Sequence, residues 1–396
     1  MSKPQPLPRT VWLFGWASFF TDAGSEMIVG LLPVFMVGTL HASGVLVGLV
    51  DGVADATSAV LKLCAGHISD RLSRRKPMVL MGYALSTAVR PLVSFATLPW
   101  HAVGVRILDR VGKGVRSAPR DALMADVVAG QGSDVAARAF GVHRALDHAG
   151  AVVGPLLASA LLWVGLTMPE VFRLAWIPGG LALLCLLMVQ EQPRPPPQRT
   201  SSSSGWLPVA PAPGLAWALP PFALVSMGLC IEPFLLLMAR ARGIADAALP
   251  LVWLVLHLGK SAAAAWVPKP ASASGRQRWL FASWAAAVAG LSLCAFCADR
   301  SDNIAVPGLI VGVLVVGVGS GAREPLERAR VAELAGVGRG AAFGWFHLVT
   351  GLAALPGGLT LGLLWDQTTP SMTALCAAAV VAVGMLWSLL NRRRVL

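Results

Sequence analysis

The chain is a succession of long apolar runs, each close to the length that a helix needs to cross a lipid bilayer. A membrane-spanning helix takes about 20 consecutive, mostly apolar residues, because each residue adds only about 1.5 Å along the helix axis. Backbone groups inside the bilayer must also bond to one another, which favours α-helices. Only 13% of the 396 residues are charged and 56% are hydrophobic, a composition typical of an integral membrane protein.

Twelve such spans are predicted, in two groups of six. The first group lies near 11–38, 44–67, 77–97, 100–125, 138–166 and 171–189, and the second near 214–240, 247–268, 279–298, 304–332, 340–365 and 370–390. Between the groups, residues 190–213 are rich in proline and serine and cannot bury a core. The predicted domains are therefore an N-terminal six-helix bundle at 1–189, a cytoplasmic linker at 190–213 and a C-terminal six-helix bundle at 214–396. No small-residue cleavage site accompanies the first run, which is predicted to be a span and not a signal peptide.

The distribution of basic residues decides what the charge of the chain means. A formal net charge of +12 would suggest a nucleic-acid partner in a soluble protein. Here Lys and Arg lie mainly in short connections on one side of the apolar runs, and the other side has only Arg240, Arg242 and Arg300. Basic connections mark the cytoplasmic side of a membrane protein. We therefore expect no nucleic-acid partner and a multi-pass protein of the cytoplasmic (inner) membrane, with both termini in the cytoplasm.

The six cysteines all fall inside apolar runs, so no extracellular disulfide framework is expected. Cys294 and Cys297 have the CxxC spacing, which on a membrane helix without companion ligands favours packing over metal or redox chemistry. The sequence has no metal-ligand cluster and no complete phosphate-binding loop of the form Gly-x-x-x-x-Gly-Lys-Ser. We expect no metal, no cofactor and no ATP-driven pumping.

Residues 66–76, GHISDRLSRRK, form a dense cationic segment between the second and third runs. The segment resembles the signature loop of the major facilitator superfamily, in which Gly is followed after three residues by Asp, then by a basic residue, Gly and further basic residues. Ser73 stands where the second glycine is usual. The resemblance implies a gate formed by Gly66, Asp70, Arg71, Arg75 and Lys76. It also implies that Asp70 holds a basic residue near the end of span four, for which we choose Arg120. The alternative is a basic loop that only sets topology.

Two short segments recur in the two halves in the same order. GKGVR at 112–116 recurs as GSGAR at 319–323, and AFG at 139–141 recurs at 342–344. Both matches fall across spans four to five and ten to eleven, so the second half repeats the first in the same orientation. That organisation is similar to the superfamily, and it implies an all-α integral membrane fold of twelve transmembrane helices in two parallel six-helix repeats. Chance similarity among Gly- and Ala-rich helices is the alternative.

A third resemblance lies in span five, where Gly150, Gly154 and Pro155 match the start of the family's antiporter-associated motif. Small residues four apart allow helices to approach closely, and proline removes one backbone donor and bends a helix. The resemblance implies a gating and coupling role for these three residues. A tightly packed, kinked helix without such a role is the alternative.

Charged residues inside the spans are the main candidates for functional residues. Insertion of each one at the bilayer centre costs about 2.5 to 3.5 kcal/mol of free energy, so each should face a cavity, a partner or a substrate path. Asp22 and Glu26 lie four apart on span one, hence on one helical face, and Asp51 and Asp55 repeat the arrangement on span two. Keeping two carboxylates ionised at so short a separation costs free energy, because the two negative charges repel each other. We predict that these four residues serve proton coupling, with structural ion pairs as the alternative.

Six further intramembrane charges are predicted to contact substrate. They lie on spans four, five, seven, eight and ten, and are Arg110, Arg144, Asp147, Glu232, Lys260 and Arg323. Both signs of charge are present, which favours a polar or zwitterionic substrate over a lipophilic cation.

These features predict a secondary active transporter that works by alternating access, driven by protons. Export of a small organic molecule, a drug-like compound or a metabolite such as a siderophore, is the first hypothesis, and proton-coupled uptake of a metabolite or iron-chelate is the second. A membrane-embedded enzyme is not favoured, since His143 and Asp147 have no nucleophile beside them and we expect no catalytic residues. A non-transporting receptor would need an added signalling domain. The expected partners are the substrate, protons and the lipid bilayer, and the family resemblance implies a monomer.

Overall fold

The computed structural model describes residues 7–71, 74–128, 133–191, 211–266, 273–335 and 339–391. Within these ranges the chain forms helices, turns and loops without a β-strand. The first eight helices are α1 (Arg9–Val29), α2 (Leu32–Gly38), α3 (Gly44–Arg71), α4 (Lys76–Val89), α5 (Pro99–Val127), α6 (Ser133–Trp163), α7 (Met168–Leu174) and α8 (Trp176–Leu187). The other seven are α9 (Pro213–Gly228), α10 (Glu232–Ala241), α11 (Leu249–Trp266), α12 (Ala273–Ala298), α13 (Ala305–Leu334), α14 (Arg339–Gln367) and α15 (Pro370–Leu390). Three 3₁₀ turns lie at Arg90–Phe95, Leu229–Ile231 and Asp246–Ala248.

Each predicted span coincides with one of these helices or with two consecutive ones, which confirms the predicted all-α membrane fold. Eleven helical segments of the described residues are long and apolar enough to cross a membrane. The exception among the predicted spans is α5, whose length of 29 residues suffices but whose sequence is interrupted by charged residues. Three of those charged residues, Arg106, Asp109 and Arg116, are buried, as described below.

Prolines mark several points where a span changes its helical geometry, because proline donates no backbone hydrogen bond. Pro33 follows the break between α1 and α2, Pro91 lies in the 3₁₀ turn that ends span three, and Pro233 begins α10. Pro155, in contrast, lies inside α6, which continues through it to Trp163.

The described helices pack into two compact units. One unit comprises Met1–Leu31 and Val60–Ser202, and the other comprises Leu32–Ala59 and Ser203–Leu396. The division near residue 202 falls inside the predicted linker, most of which lies outside the described residues. The first half of α3, in contrast, packs within the second unit.

Glycines hold several helix pairs of the second unit in close contact, and two of these pairs are α3 with α14 and α12 with α13. On α3, Gly44, Gly48 and Gly52 contact the backbone of α14 at successively earlier positions, so the two helices run antiparallel. The carboxylate of Asp366, at the end of α14, accepts hydrogen bonds from the backbone N–H groups of Gly44 at 2.6 Å and Val45 at 3.1 Å, and thereby caps the start of α3.

The second close pair joins α12 to α13. Cys294 and Cys297 are fully buried on α12, and their sulfur atoms fill the space opposite Gly312 and Gly308 on α13. The CxxC pair therefore packs two helices together, as its position in an apolar run predicted.

Candidate functional site

Two carboxyl groups meet where α1 packs against α6, in the first unit. A Cβ atom at Gly150 or Gly154 would clash with the backbone of α1 at Phe19 or Ala23, so the glycines bring the helices close together. One turn away, the side chains of Asp22 and Asp147 lie within hydrogen-bonding range of each other.

The Asp22–Asp147 pair is suited to hold a single proton. Two carboxyl groups can hydrogen-bond to each other only when one of them is protonated, and double ionisation of so close a pair is costly. Ser18 Oγ donates a further hydrogen bond of 2.5 Å to Asp147 Oδ1. Lys113 on α5 and Glu26 on α1 are the other charged groups that face Asp22. Asp22 therefore has a carboxyl partner on another helix as well as Glu26 on its own.

A buried ion pair joins the end of α4 to α5 beside this site. Arg90 Nη2 and Nε donate to Asp109 Oδ1 at 2.9 and 3.1 Å, and Arg90 Nη1 donates to the carbonyl oxygen of Thr21 at 3.0 Å. The side chains of Arg90 and Asp109 are 8% and 2% exposed. Arg106 Nη1 lies 3.7 Å from the other carboxylate oxygen of Asp109. The pair ties α1, α4 and α5 together.

The same face of α5 carries a row of cations. Arg110 faces Asp109 and Lys113, and Lys113 in turn faces Asp22. Arg116 is 5% exposed, donates a 2.7 Å hydrogen bond to Ser86 Oγ and places its guanidinium carbon 4.3 Å from the centre of the Tyr83 ring. Such a row leaves the interior of the first unit predominantly positive, and it favours an anionic group on a bound molecule.

The predicted gating residues are only partly described. Gly66, Asp70 and Arg71 lie in the last turns of α3, and their side chains are outside the described part of the structure. Arg120 contacts Asp121 at 2.8 Å and the Tyr83 hydroxyl at 3.4 Å. The predicted contact between Asp70 and Arg120 therefore stays a prediction.

Arg75 and Lys76, at the start of α4, are anchored by acids and carbonyls within the first unit. Arg75 Nη1 lies 2.9 Å from Asp126 Oδ2, at the end of α5. The Glu191 carboxylate accepts from the backbone N–H groups of Arg75 and Lys76 at 2.6 and 2.9 Å, and Lys76 Nζ donates to the carbonyl oxygen of Val189 at 2.6 Å. These contacts fix the connection between spans two and three to the ends of spans four and six.

A second group of charges lies in the second unit. Lys260 Nζ contacts both carboxylate oxygens of Glu232, at 2.6 and 2.7 Å, and the two side chains are 25% and 20% exposed. Cys230 is faced by Asp51 and Asp55 of α3, by Glu232 and by Arg323. The fold thus groups residues from three separate spans into a cluster of mixed charge: Asp51 and Asp55, Glu232, and Arg323.

Arg323 and Arg144 differ in their surroundings. Arg323 Nη1 donates to Ser226 Oγ at 3.3 Å, and its Nε lies 3.7 Å from Glu327, four residues further along α13. Arg144 is half exposed and lies 3.7 Å from Asp147 on the same helix. Arg144 is therefore accessible to a molecule that approaches the Asp22–Asp147 pair.

Two buried acids were missed by the sequence prediction, Asp109 and Glu327. Glu327 is 2% exposed and accepts a 3.2 Å hydrogen bond from the Trp284 indole N–H. Each acid lies three or four residues after an arginine, Arg106 or Arg323, and that helical spacing is the signal that could have identified them.

Membrane-length helices and buried charges define a polytopic α-helical membrane protein. The family model of the Major Facilitator Superfamily matches residues 14–275, and the chain belongs to that superfamily. Family and fold together point to a transporter and not to an enzyme.

Two relatives and one solved structure illustrate the likeness. An uncharacterized protein of Mycobacterium tuberculosis is 31% identical over 96% of this chain and 93% of its own length. The staphyloferrin B transporter of Staphylococcus aureus is 31% identical over 38% of this chain and 35% of its own. The crystal structure of the nucleoside transporter NupG covers 95% of this chain and 97% of its own, with a TM-score of 0.76 and 14% identity, a likeness of fold alone.

Proposed function

We propose that this protein is a proton-coupled secondary active transporter that exports a small polar organic molecule, a drug-like compound or a metabolite such as a siderophore. The observation that supports the proposal is the Asp22–Asp147 pair, in which two carboxyl groups on different helices lie within hydrogen-bonding range of each other and could share one proton. Coupling requires a group that takes up and releases a proton as the surrounding helices change their packing, and a pair held only by close helix contact meets that requirement.

The roles of the other residues follow from their positions. Lys113 faces Asp22, so a change in the protonation of the pair changes the field at the cationic face of α5. Arg110 on that face and the half-exposed Arg144 are proposed to bind an anionic group of the substrate. Glu232, Lys260 and Arg323, in the mixed-charge group of the second unit, are proposed to bind its remaining polar groups. Asp51 and Asp55 are proposed as a second carboxylate pair that responds to protons.

The likeness to the staphyloferrin B transporter supports a metabolite that carries several polar groups among the possible substrates. Membership of the superfamily supports alternating access between the two six-helix repeats. The basic connections support an inner-membrane location with both termini in the cytoplasm. We propose that the protein acts as a monomer and that protons and the lipid bilayer are its partners besides the substrate.

The test is a transport assay with purified protein in liposomes that hold a pH-sensitive dye. Siderophores, antibiotics and metabolites are added one at a time, and the internal pH is followed. Proton movement opposite in direction to substrate movement would establish antiport. In a cell with a proton gradient, antiport would drive export of the substrate. Movement in the same direction would establish symport and favour uptake.

A matched control separates coupling from a general effect of charge. Asp302 lies on an exposed loop of the second unit and pairs with Arg300, so Asp302→Asn removes a carboxylate that is not part of the proposed site. That variant is expected to keep substrate-dependent proton movement, whereas Asp22→Asn is expected to lose it. Proton movement that is equal in both variants would contradict the proposal.

A further inference from the structure

The second unit contains a cleft between α9, α12, α13 and α15. It holds about 390 Å³ of space between atoms, part of it open to solvent. Its polar lining is Arg276, Gln277, Arg330 and Ser388, and the rest of its lining is apolar. The cleft lies toward the start of α9 and the end of α15, the end of the spans that the basic connections predict to be cytoplasmic. The proposed transport mechanism uses none of these four residues.

Two guanidinium groups of the cleft contact the same carboxylate. Arg330 Nη1 lies 2.8 Å from Glu333 Oε2 on α13, and Arg276 on α12 pairs with Oε1 of the same residue. The side chains of Arg330 and Arg276 are 12% and 28% exposed. Residues 276–278 and 323–333 contain five arginines and three glutamates, so this end of α12 and α13 has a net positive charge. Such a surplus of partly buried cations favours an anionic ligand.

The ion pair itself is common to both units. Asp126 and Glu333 each lie ten residues after the last arginine of the repeated segment, and they pair with Arg75 and Arg276. These arginines begin α4 and α12, the third spans of the two repeats. The pair is therefore part of the repeated architecture and does not by itself indicate a ligand.

Arg330 is where the second unit departs from the first. Leu123 and Arg330 each lie seven residues after the last arginine of the repeated segment. Leu123 is 3% exposed and packs in an apolar cluster with Val79 and Tyr83, whereas Arg330 lines the cleft. A position that serves packing alone takes an apolar side chain, because a buried guanidinium group loses its hydration. We therefore attribute Arg330 to binding.

Gln277 is a second, independent indication of a ligand. It follows Arg276 as Lys76 follows Arg75, and Lys76 Nζ donates to the carbonyl oxygen of Val189 at 2.6 Å. Gln277 is 8% exposed, and its Oε1 is buried without a hydrogen-bond partner among the described residues. An unbonded buried acceptor costs free energy, which a hydroxyl or N–H group of a ligand would recover.

Three tryptophans place the cleft at the level of the lipid headgroups. Trp217, Trp279 and Trp387 each directly precede a residue that lines the cleft. The rings of Trp217 and Trp387 stack with their centres 6.3 Å apart, and Trp279 and Trp387 are 41% and 37% exposed. Exposed tryptophans are typical of the boundary between the hydrocarbon layer and water. A ligand in the cleft is therefore within reach of the membrane surface.

We propose that this cleft binds the headgroup of an anionic phospholipid. Arg330 and Arg276 bind the phosphate, and Gln277 Oε1 accepts a hydrogen bond from a headgroup hydroxyl. The apolar lining, which includes Phe222 and Leu280, contacts the part of the lipid next to its acyl chains. A lipid with a phosphate and hydroxyl groups, such as phosphatidylglycerol, meets these requirements. The site does not depend on proton coupling, because it shares no residue with the Asp22–Asp147 pair.

The test compares two lipids with identical acyl chains, phosphatidylglycerol and phosphatidylcholine. Delipidated full-length protein in detergent is titrated with each lipid, and native mass spectrometry gives the Kd of the first bound lipid. Arg330→Leu introduces the residue type that the first unit has at this position. Its control is Arg328→Leu, which removes the same charge from the same helix at a side chain that pairs with Glu324, is 42% exposed and does not line the cleft.

Wild-type protein is expected to bind phosphatidylglycerol about tenfold or more tightly than phosphatidylcholine, the difference that one charge-assisted hydrogen bond produces. Arg330→Leu is expected to lose this preference, and Arg328→Leu is expected to keep it. Gln277→Glu is expected to lose it as well, because the added carboxylate pairs with the arginines and repels phosphate. Inorganic phosphate and glycerol 3-phosphate, at the concentration of the lipid, are expected to leave the bound phosphatidylglycerol in place.

Other results overturn the proposal in distinguishable ways. Equal affinity of wild type for the two lipids overturns the site. A preference that Arg330→Leu keeps, or that Arg328→Leu loses to the same extent, shows a general attraction of charge and overturns it too. Displacement by either soluble phosphate shows that the cleft binds a free anion and not a lipid. Thermal unfolding of each variant confirms that it is folded, and Gln277→Glu decides the matter if Arg330→Leu is not.

Discussion

The buried pair of Arg90 and Asp109 is expected to be structural, and a double-mutant cycle tests this directly. The substitutions are Arg90→Met and Asp109→Leu, singly and together, because both replacements keep much of the side-chain volume. Either single change leaves a buried charge without its main partner. Arg90→Met removes the main partner of a carboxylate that is 2% exposed, and leaves Arg106 at 3.7 Å and the neighbouring Arg110 to compensate in part.

The magnitude follows from burial and from the bonds that are lost. Arg90 donates two hydrogen bonds to Asp109 and one to the Thr21 carbonyl, all between 2.9 and 3.1 Å. Breaking a buried pair by removal of one partner costs about 3–5 kcal/mol. Because both side chains are almost fully buried, solvent screening does not reduce this figure much. In the double variant neither of these two charges remains, so the coupling energy is expected to be about 2–3 kcal/mol.

The assay is the free energy of unfolding, measured by detergent titration in mixed micelles and followed by circular dichroism. Arg240→Met serves as the control, because Arg240 and Asp246 form a pair whose side chains are 37% and 41% exposed. Its expected cost is about 0–1 kcal/mol. Additive effects of Arg90→Met and Asp109→Leu, within about 0.5 kcal/mol, would refute the reasoning, because they would show that the two charges do not stabilise each other.

Three further predictions follow from contacts elsewhere. Gly150→Leu is expected to force α1 and α6 apart and to lower the free energy of unfolding by about 1–3 kcal/mol. Its control is Gly104→Ala, because a Cβ atom at Gly104 meets nothing within 4 Å. In the same titration this control is expected to stabilise the helix slightly. Asp366→Ala removes the cap of α3 and is expected to cost about 0.5–2 kcal/mol, which would be contradicted by an unfolding curve equal to wild type. Exchanging Glu232 and Lys260 is expected to preserve the ion pair and the thermal stability of the protein. The exchange is expected to abolish transport of a substrate found in the liposome panel. Retained transport would exclude direct contact of the pair with substrate.

The architecture was predictable because it depends on patterns within single segments. Apolar runs of membrane length identified the spans, and the match in residues 66–76 and the glycine spacing on span five identified the family. The helix α5 shows where apolarity alone fails, since charged residues interrupt its apolar sequence and yet three of them, Arg106, Asp109 and Arg116, are buried.

The pairing of charges was predictable only in part, because partners on different helices depend on how each helix is rotated. Spacing along one helix correctly placed Asp22 and Glu26 on one face, but it could not reveal that Asp147 lies opposite Asp22. Asp109 was missed because the charges around it on α5 are mostly basic, and its partner Arg90 lies on another helix. The contact of Asp126 on α5 with Arg75 at the start of α4 likewise joins two helices, and spacing along one helix does not reveal it.

The central claim is that Asp22 and Asp147 together hold the coupling proton, and one comparison tests it most directly. Liposomes with wild-type protein, Asp147→Asn or Glu26→Gln are assayed for gradient-driven accumulation and for substrate counterflow, which needs no net proton movement. Asp147→Asn is expected to lose accumulation but keep counterflow, and Glu26→Gln is expected to keep both. Accumulation that survives in Asp147→Asn and disappears in Glu26→Gln would contradict the claim. That result would indicate instead that the two acids on α1, Asp22 and Glu26, hold the coupling proton.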